Sequence, residues 1–324
     1  MTQTHQSNVS WTVLDTRVYN ASVGVGEDAC EDAWLDHGTQ PRPFRMKAFP
    51  TLPLGMLHRN APPLLAPWRN GADAALGELV EFDKRNLVHG DQTIVWHSCE
   101  VPAVAQCTAR HRIVNMVQKR TGVVATSETE FNVGGNTICT SIASMFLRGG
   151  KLTAAGRAIP TASGTEGAVV SHALQALMGA QKCRPTSPAQ EIQLRTSPNQ
   201  AALYAINGDD NPIHVDWSVA REAGFGSPIL HGLCTFGMAF RGILRVAAAH
   251  WNVAPSDVVP VACTVRFVRP VLPGQTLIVK TAQVAAAQKD EMTVVFSVAV
   301  GDTVVCSRCA ATLRKPQSTS QSKL

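Results

Sequence analysis

The clearest periodic pattern in the chain is "SPILHGLCTFGMAFRGILRVAAAH", which begins at Ser227. Its apolar residues recur three and four positions apart, at Leu233, Phe236, Phe240, Ile243, Leu244 and Ala247. This spacing predicts a long helix with a wide, largely buried apolar face. Two shorter helices are predicted before it. The first lies in "TSPNQAALYAIN", with Ser197 as N-cap and Pro198 at the first helical position. The second lies in "WSVAREAGFG", with Ser218 as N-cap and Gly224 at its end.

Four β-rich runs follow the long helix, separated by the turn sequences "LPG", "QKDE" and "GD". They are "VACTVRFVRPV", "QTLIVKTAQVA", "MTVVFSVAV" and "TVVCSRCAATL". A helix followed by hairpin-linked strands predicts an α+β fold, in which an antiparallel sheet packs on one helix. The first half has fainter β-rich runs, among them "TIVWHSCEVP" and "CTARHRIVNMVQKRTG". Its "LVHGDQ" at Leu87 matches "ILHGLC" at Ile229, which indicates either a duplicated unit or a chance match.

Composition shifts divide the chain into segments. Residues 151–190 are rich in Gly, Pro, Ser, Thr and Ala and are interpreted as a linker between units at 1–150 and 191–314. A surface insertion is expected around residues 61–77. Residues 315–324 form a polar tail that ends in Ser322, Lys323 and Leu324. Terminal Ser-Lys-Leu is an address read by the peroxisomal import receptor, so we expect a peroxisome or a related organelle.

Charge and cysteine content exclude several classes. The 324 residues carry a formal net charge of +5, and only 16% are charged, so a nucleic-acid partner is not expected. No secretory signal and no window long enough to span a bilayer is expected. The nine cysteines are irregularly spaced, which favours reduced thiols in an intracellular compartment. Cys306 and Cys309 lie three apart in a predicted strand, so we expect them on opposite faces and sharing no metal.

Candidate chemistry concentrates in "INGDDNPIHVDW". Asp209 and His214 are five positions apart, which does not align them on a regular helix. A turn at Asn211-Pro212 would bring the carboxylate and the imidazole together as an acid–base pair. Downstream, Gly232 lies at the predicted start of the long helix, where backbone N–H groups can stabilise an oxyanion. The alternative is that these are only turn, cap and structural residues.

The stretch "YAINGDDNPIHVDWSVAREAGFGSPILHGLCTFG" closely resembles the hydratase 2 motif of the MaoC-like, (R)-specific 2-enoyl-CoA hydratases. The resemblance extends through "SPNQAALY", "VRFVRPVLPGQTL", "YNASVGVGEDA", "FPTLPLGML", "LVHGDQ" and "KRTGVV", and it covers most of the chain. It implies two tandem hot-dog units, each a long helix wrapped by an antiparallel sheet, with the catalytic residues in the second unit. It also implies a homodimer that binds enoyl-CoA, with no cofactor besides the CoA of the substrate and no metal.

By resemblance, the reaction is the reversible hydration of trans-2-enoyl-CoA to (3R)-hydroxyacyl-CoA in peroxisomal β-oxidation. Asp209 and His214 would hold and activate one water, Asn211 would orient the pair, and the Gly232 amide would support the thioester oxygen. The residues expected to bind substrate are His89, Gly90, Lys119, Asp210, Pro212, Ile213 and Phe267. A structural role for His89 and a solvated position for Lys119 remain alternatives.

The chain departs from the family at Asp210, where many relatives have an aromatic residue. A second carboxylate there would raise the pKa of one of the two aspartates. Two alternative activities remain, a hot-dog acyl-CoA thioesterase and a (3R)-hydroxyacyl thioester dehydratase. A non-catalytic acyl-CoA-binding protein is the third alternative, and it requires that Asp209 and His214 fail to converge.

Overall fold

The computed structural model describes residues 4–26, 29–34, 46–60, 76–83, 86–159, 168–284, 288 and 290–317. Most of the expected surface insertion and the Ser322-Lys323-Leu324 ending lie outside these residues. The strands are β1 (Thr4–Trp11), β2 (Val80–Glu81), β3 (Leu87–Trp96), β4 (Ala105–Lys119), β5 (Gly122–Val133), β6 (Asn136–Arg148), β7 (Lys151–Leu152), β8 (Gln190–Arg195), β9 (Val259–Phe267), β10 (Thr276–Val284), β11 (Glu291–Val300) and β12 (Thr303–Arg314). The α-helices are α1 (Val13–Ser22), α2 (Leu52–Met56), α3 (Ala154–Arg157), α4 (Ala168–Ala180), α5 (Gln200–Ala205), α6 (Trp217–Glu222) and α7 (Gly232–Trp251). Short 3₁₀ segments occur at Ala29–Trp34, Leu57–Asn60, Pro212–His214 and Pro255–Asp257.

Ten strands form one antiparallel sheet in the order β1-β4-β5-β6-β3-β9-β12-β11-β10-β8. Five strands come from each half of the chain, and both halves use the same order of first, third, fourth, fifth and second strand. The halves join where β3 pairs with β9, and the Thr93 and Thr264 hydroxyls are 2.7 Å apart across this junction. The two-unit α+β architecture is therefore confirmed.

Helix α7 fills the inner face of this sheet. Every residue from Leu233 to Leu244 is buried, and the ring of Phe240 stacks on Trp96 of β3 with centroids 5.0 Å apart. The predicted long helix is thus confirmed. Among the described residues it is also one helix whose length and composition would suit a membrane span, contrary to our expectation of none. Its burial within the fold shows instead that it is a core helix.

The first unit differs from the second at the position of this helix. Between β1 and β3, the described residues form only short helices, two 3₁₀ segments and the two-residue strand β2, with no helix comparable in length to α7. The matching tetrapeptides also have different structures, since His89 lies in β3 whereas His231 immediately precedes α7. The duplication therefore resides in the strand order rather than in that sequence match.

The segment interpreted as a linker contains helix α4, which packs on the outer face of the sheet. Leu177 is buried there against Val95, Ile142, Ala262 and Ala310. The flanking Gly, Pro and Ser residues dominate the composition of residues 151–190 and conceal the apolar stretch of α4 in the sequence.

Two predicted helix starts are wrong. Helix α5 begins at Gln200, so Ser197 and Pro198 precede it, and its cap residue Asn199 makes no side-chain cap bond. Helix α6 is capped by Asp216, whose carboxylate accepts hydrogen bonds from the N–H groups of Ser218 and Val219. Both aspartate and serine favour the N-cap position, and the aspartate two residues earlier takes it here.

The expectation that Cys306 and Cys309 face opposite sides of the sheet is also wrong. A β-bulge between Ser307 and Ala310 inserts one extra residue into β12, with Arg308 at φ 49°. The bulge shifts the alternation of side chains between the two faces of β12, so both thiols lie in the main core. Burial raises the pKa of both, to about 12 for Cys309, which makes them unreactive as thiolates.

A buried ion pair ties the first unit to α7. Arg241 Nε donates to Glu31 Oε1 at 2.7 Å, and neither side chain is exposed to solvent. Glu31 Oε2 also accepts from the Gly26 N–H at 3.0 Å. The pair therefore fixes the loop after α1 against the core helix.

Candidate active site

The Asp209–His214 loop is shaped by its own side chains. Asn211 Oδ1 accepts a hydrogen bond from the Ile213 N–H at 3.3 Å and caps the 3₁₀ segment Pro212–His214. The Asn211 N–H donates to Asp209 Oδ1 at the same distance. Asn211 thus orders the turn that connects the carboxylate to the imidazole.

Asp209 and His214 converge, as the turn at Asn211-Pro212 predicts. Both are buried, and their ligand-type atoms and one from His231 all lie within 4.8 Å of one another. His214 Nδ1 lies 2.8 Å from the Ile229 carbonyl oxygen, which can only accept, so Nδ1 carries the proton. Nε2 of the neutral ring then keeps its lone pair and can accept a proton.

His231 stacks on His214, with ring centroids 3.7 Å apart and an interplanar angle of 26°. Its Nε2 lies 4.0 Å from Asp209 Oδ2. The Asp209 backbone approaches the ring, but neither ring nitrogen makes a hydrogen bond of normal geometry among the described residues. The ring of Tyr204 lies on its other side, with centroids 4.9 Å apart. The sequence predicts no catalytic role for His231 and leaves it as a possible structural histidine.

His58, from the first unit, is a residue that sequence reasoning missed. Its Nε2 lies 3.9 Å from Asp209 Oδ2, and both side chains are nearly buried. His58 directly follows the "FPTLPLGML" stretch, but nothing in the local sequence connects it to Asp209. Only the packing of the two units reveals this neighbour.

Electrostatics favour an ionised Asp209 carboxylate beside the neutral imidazoles of His214 and His231. Burial raises the pKa of Asp209, but His58, His231, His214 and the Asn211 N–H outweigh burial and place the pKa below its ordinary value. Burial lowers the pKa of His214, and it lowers that of His231 to about 3. Asp210 is exposed and is not among the main groups that shift the pKa of Asp209.

Gly232 is the first residue of α7, where backbone N–H groups have no partner within the helix. A Cβ at this position would lie 3.3 Å from the ring of Phe267. That ring packs edge-on against His89, with centroids 5.0 Å apart. Gly232, Phe267 and His89 therefore lie side by side at the end of the helix that carries the positive dipole.

The other sequence-predicted residues lie at different distances from the cluster. Burial lowers the pKa of His89 to about 4, and the nearby charge of Asp209 opposes this shift, which places His89 beside the site. Gly90 occupies a bulge between β3 and β6. Pro212 and Ile213 are half-buried within the turn between Asp209 and His214. Lys119 is exposed in the β4–β5 turn, and no described contact joins it to the cluster.

Asp209, His214 and His231 are also residue types that bind metals, and their ligand atoms are close together. A bound zinc lies about 2.0–2.1 Å from a histidine nitrogen, in the plane of the ring. The stacked rings of His214 and His231 occupy nearly parallel planes, so one ion cannot lie in both planes at that distance. The arrangement suits proton transfer better than shared metal coordination.

These features define a double hot-dog protein with a buried carboxylate–imidazole pair at the N-terminus of its core helix. A model of the MaoC like domain matches residues 180–305, and a model of the MFE-2 hydratase 2 N-terminal domain matches residues 10–149. The chain is 31% identical to enoyl-CoA hydratase 2, peroxisomal, from Arabidopsis thaliana over 236 residues, which cover 68% of this chain and 71% of the relative. The chain belongs to the MaoC-like hydratase 2 family.

Two further similarities extend this result. Peroxisomal multifunctional enzyme type 2 from Mus musculus is 33% identical over 199 residues, 61% of this chain. The match spans 24% of that enzyme, so the chain corresponds to about a quarter of its length. The crystal structure of a MaoC-like dehydratase from Phytophthora capsici aligns with TM-score 0.70 at 20% identity, covering 99% of this chain and 97% of that one. At this identity the structural match supports the fold alone.

Proposed function

We propose that the protein catalyses the reversible hydration of trans-2-enoyl-CoA to (3R)-3-hydroxyacyl-CoA. The observation that carries the proposal is the pairing of ionised Asp209 with neutral His214 beside the start of α7. The names of the hydratase 2 relatives support the substrate class.

In the proposed mechanism, one water lies between Asp209 and His214. Its two O–H groups donate to the Asp209 carboxylate and to His214 Nε2, which leaves an oxygen lone pair for the β-carbon of the enoyl group. The side chain that takes the proton during attack returns it to the α-carbon on the same face. The net reaction adds H and OH across the double bond, and the reverse sequence of steps is dehydration.

During this proton transfer, the Gly232 N–H would donate a hydrogen bond to the thioester oxygen and stabilise its developing enolate charge. The helix dipole adds to the effect, because the positive end of α7 points at that oxygen. No metal or cofactor takes part in this scheme, and the CoA belongs to the substrate.

Asp209→Asn tests the mechanism, since it removes the proton acceptor but keeps the shape of the side chain. Loss of a general acid–base group lowers the rate by about 10²–10⁴. We expect wild type to consume the conjugated enoyl thioester, yield the (3R)-hydroxy product and release no thiol, while the folded variant loses activity by this factor. Thiol release would identify a thioesterase, and substrate binding without turnover would indicate a binding protein.

For the CoA moiety, we propose that Lys119 contacts phosphate or pantetheine oxygens through its ammonium group. Lys119→Ala is then expected to raise KM for enoyl-CoA with little change in kcat. Enoyl-pantetheine, which lacks the CoA phosphates, is the control substrate. If Lys119 contacts phosphate, Lys119→Ala and wild type should have the same KM for enoyl-pantetheine. Equal KM values for enoyl-CoA would contradict this assignment.

We further propose a homodimer in a peroxisome-type organelle, acting in fatty-acid β-oxidation. Peroxisomal relatives and the Ser322-Lys323-Leu324 ending support this localisation. Fluorescent fusions with and without these three residues test the import receptor's role, and sedimentation of the purified chain tests the dimer.

A further inference from the structure

The 3₁₀ segment Leu57–Asn60 of the first unit packs directly against the backbone before Asp209. Arg59 Nε donates to the Asn207 carbonyl at 3.0 Å, and Arg59 Nη1 pairs with Asp15 Oδ1 at 2.6 Å. Gly208 has φ 118°, and a Cβ there would lie only 2.9 Å from the Arg59 backbone nitrogen. This close approach fixes the backbone of His58 beside that of Asp209.

The two oxygens of Asp209 have different environments. Oδ1 accepts from the Asn211 N–H. Oδ2 lies near two imidazoles from different units, with His58 Nε2 at 3.9 Å and His231 Nε2 at 4.0 Å. The carboxylate is therefore approached both by a histidine of the first unit and by the proposed catalytic residues of the second unit.

We propose that His58 is a positioning residue that holds the Asp209 carboxylate ionised and oriented for proton transfer. The inference rests on the proposed function, in which Asp209 accepts a proton. It gives the first unit a functional part in the active site.

The charges around Asp209 agree with this role. After burial, which raises its pKa, His58 has the largest influence on Asp209 and lowers it, followed by His231 and His214. The charge of His58 also opposes protonation of His214, His231 and His89. Among the described residues, other ionisable neighbours are Arg59, Tyr204, whose phenol stays neutral because burial raises its pKa, and the exposed Asp210. The arrangement favours the ionised carboxylate of Asp209 and the neutral forms of His214, His231 and His89.

The test is the pH dependence of kcat/KM in His58→Gln, because glutamine keeps a polar side chain but cannot carry the charge. An opposite charge this close lowers the pKa of a carboxyl by about 1 unit or more. We therefore expect the acid limb of the kcat/KM profile to move to a pH about 1 unit higher in the variant. The value of kcat/KM on the alkaline plateau should change less. A merely structural residue would lower the whole profile without moving the limb.

Two further variants make the result specific. His250→Gln, at an exposed position near the end of α7, should leave the acid limb where it is in wild type. His58→Ala leaves space for added imidazole, which should move the limb back towards its wild-type position. An acid limb that is unchanged in folded His58→Gln and His58→Ala overturns the proposal.

Failure of the proposed function can be distinguished from failure of this inference. If wild type hydrates no enoyl-CoA, the proposed reaction is wrong. The Asp209 carboxyl can then be titrated by carbon-13 NMR without substrate, with its signal assigned from Asp209→Asn. A higher Asp209 pKa in His58→Gln than in wild type supports the electrostatic role of His58, and equal values overturn it.

Discussion

His111 is a buried histidine outside the active-site cluster that links the stability of the protein to pH. It is fully buried in β4, with Nε2 3.0 Å from the Ser7 hydroxyl and Nδ1 2.9 Å from the Thr129 hydroxyl. Burial, with a smaller contribution from His5, lowers its pKa to about 4. His111→Gln removes the titrating group and keeps a side chain that can bond to hydroxyl groups.

The magnitude follows from the difference between folded and unfolded states. An unfolded histidine titrates near ~6.5, so below that pH the unfolded chain binds a proton that the folded chain resists. The free energy of unfolding then falls by about 1.4 kcal/mol per pH unit and levels off near the folded pKa. Between about pH 7 and pH 5, His111 alone removes about 2 kcal/mol of stability.

Urea unfolding of wild type and His111→Gln at these two pH values measures the effect. The variant should lose about 2 kcal/mol less stability on acidification than wild type does. At neutral pH it should be less stable by about 1 kcal/mol, because its hydrogen bonds to the two hydroxyls are less well aligned. Equal losses in the two proteins would refute the argument that His111 stays neutral in the folded state.

Two further substitutions test the contacts between the units. Gly208→Ala adds a Cβ at φ 118° against Arg59, so we expect the variant to be destabilised by about 1–3 kcal/mol. Gly224→Ala is the control, because its site at φ 85° is open, and Gly208→Ala should lose more kcat than this control does. Equal kcat in the two alanine variants would show that displacing the segment that contains His58 does not affect catalysis. Arg241→Met leaves the buried Glu31 carboxylate without this partner and should lower the free energy of unfolding, measured in urea, by about 3–5 kcal/mol. The double variant Arg241→Met/Glu31→Leu should recover part of this loss, because it also removes the buried carboxylate. A single variant as stable as wild type would contradict this.

The sequence predicts those parts of the fold and site that depend on local pattern. The apolar spacing from Leu233 to Ala247 locates α7, and the turn-punctuated β-rich runs locate β9 to β12. Asn211-Pro212 is a local turn signal, so the convergence of Asp209 and His214 is also predictable. In each case the residues that determine the structure lie within a few positions of one another.

The features that sequence reasoning misses depend on distant or irregular contacts. The bulge at Arg308 changes which side of β12 its residues face, and an alternating pattern carries no sign of it. Helix α4 is stabilised by the outer face of a sheet built from both halves, rather than by its own amphipathic pattern. His58 lies 3.9 Å from Asp209 where its neighbour Arg59 packs on the Asn207–Gly208 backbone, a contact between distant parts of the chain.

The β3–β9 junction makes this chain a covalent counterpart of a two-fold symmetric pair. In a symmetric assembly of identical subunits, every substitution appears in all subunits. A substitution that benefits one site therefore also changes the equivalent site of the partner. Here the two halves share a strand order but vary independently, since each is encoded by its own stretch of chain. In the described residues, one half has no helix as long as α7 and places the His58 imidazole near Asp209, while the other half holds both Asp209 and His214. Joining the halves is what permits this division of labour.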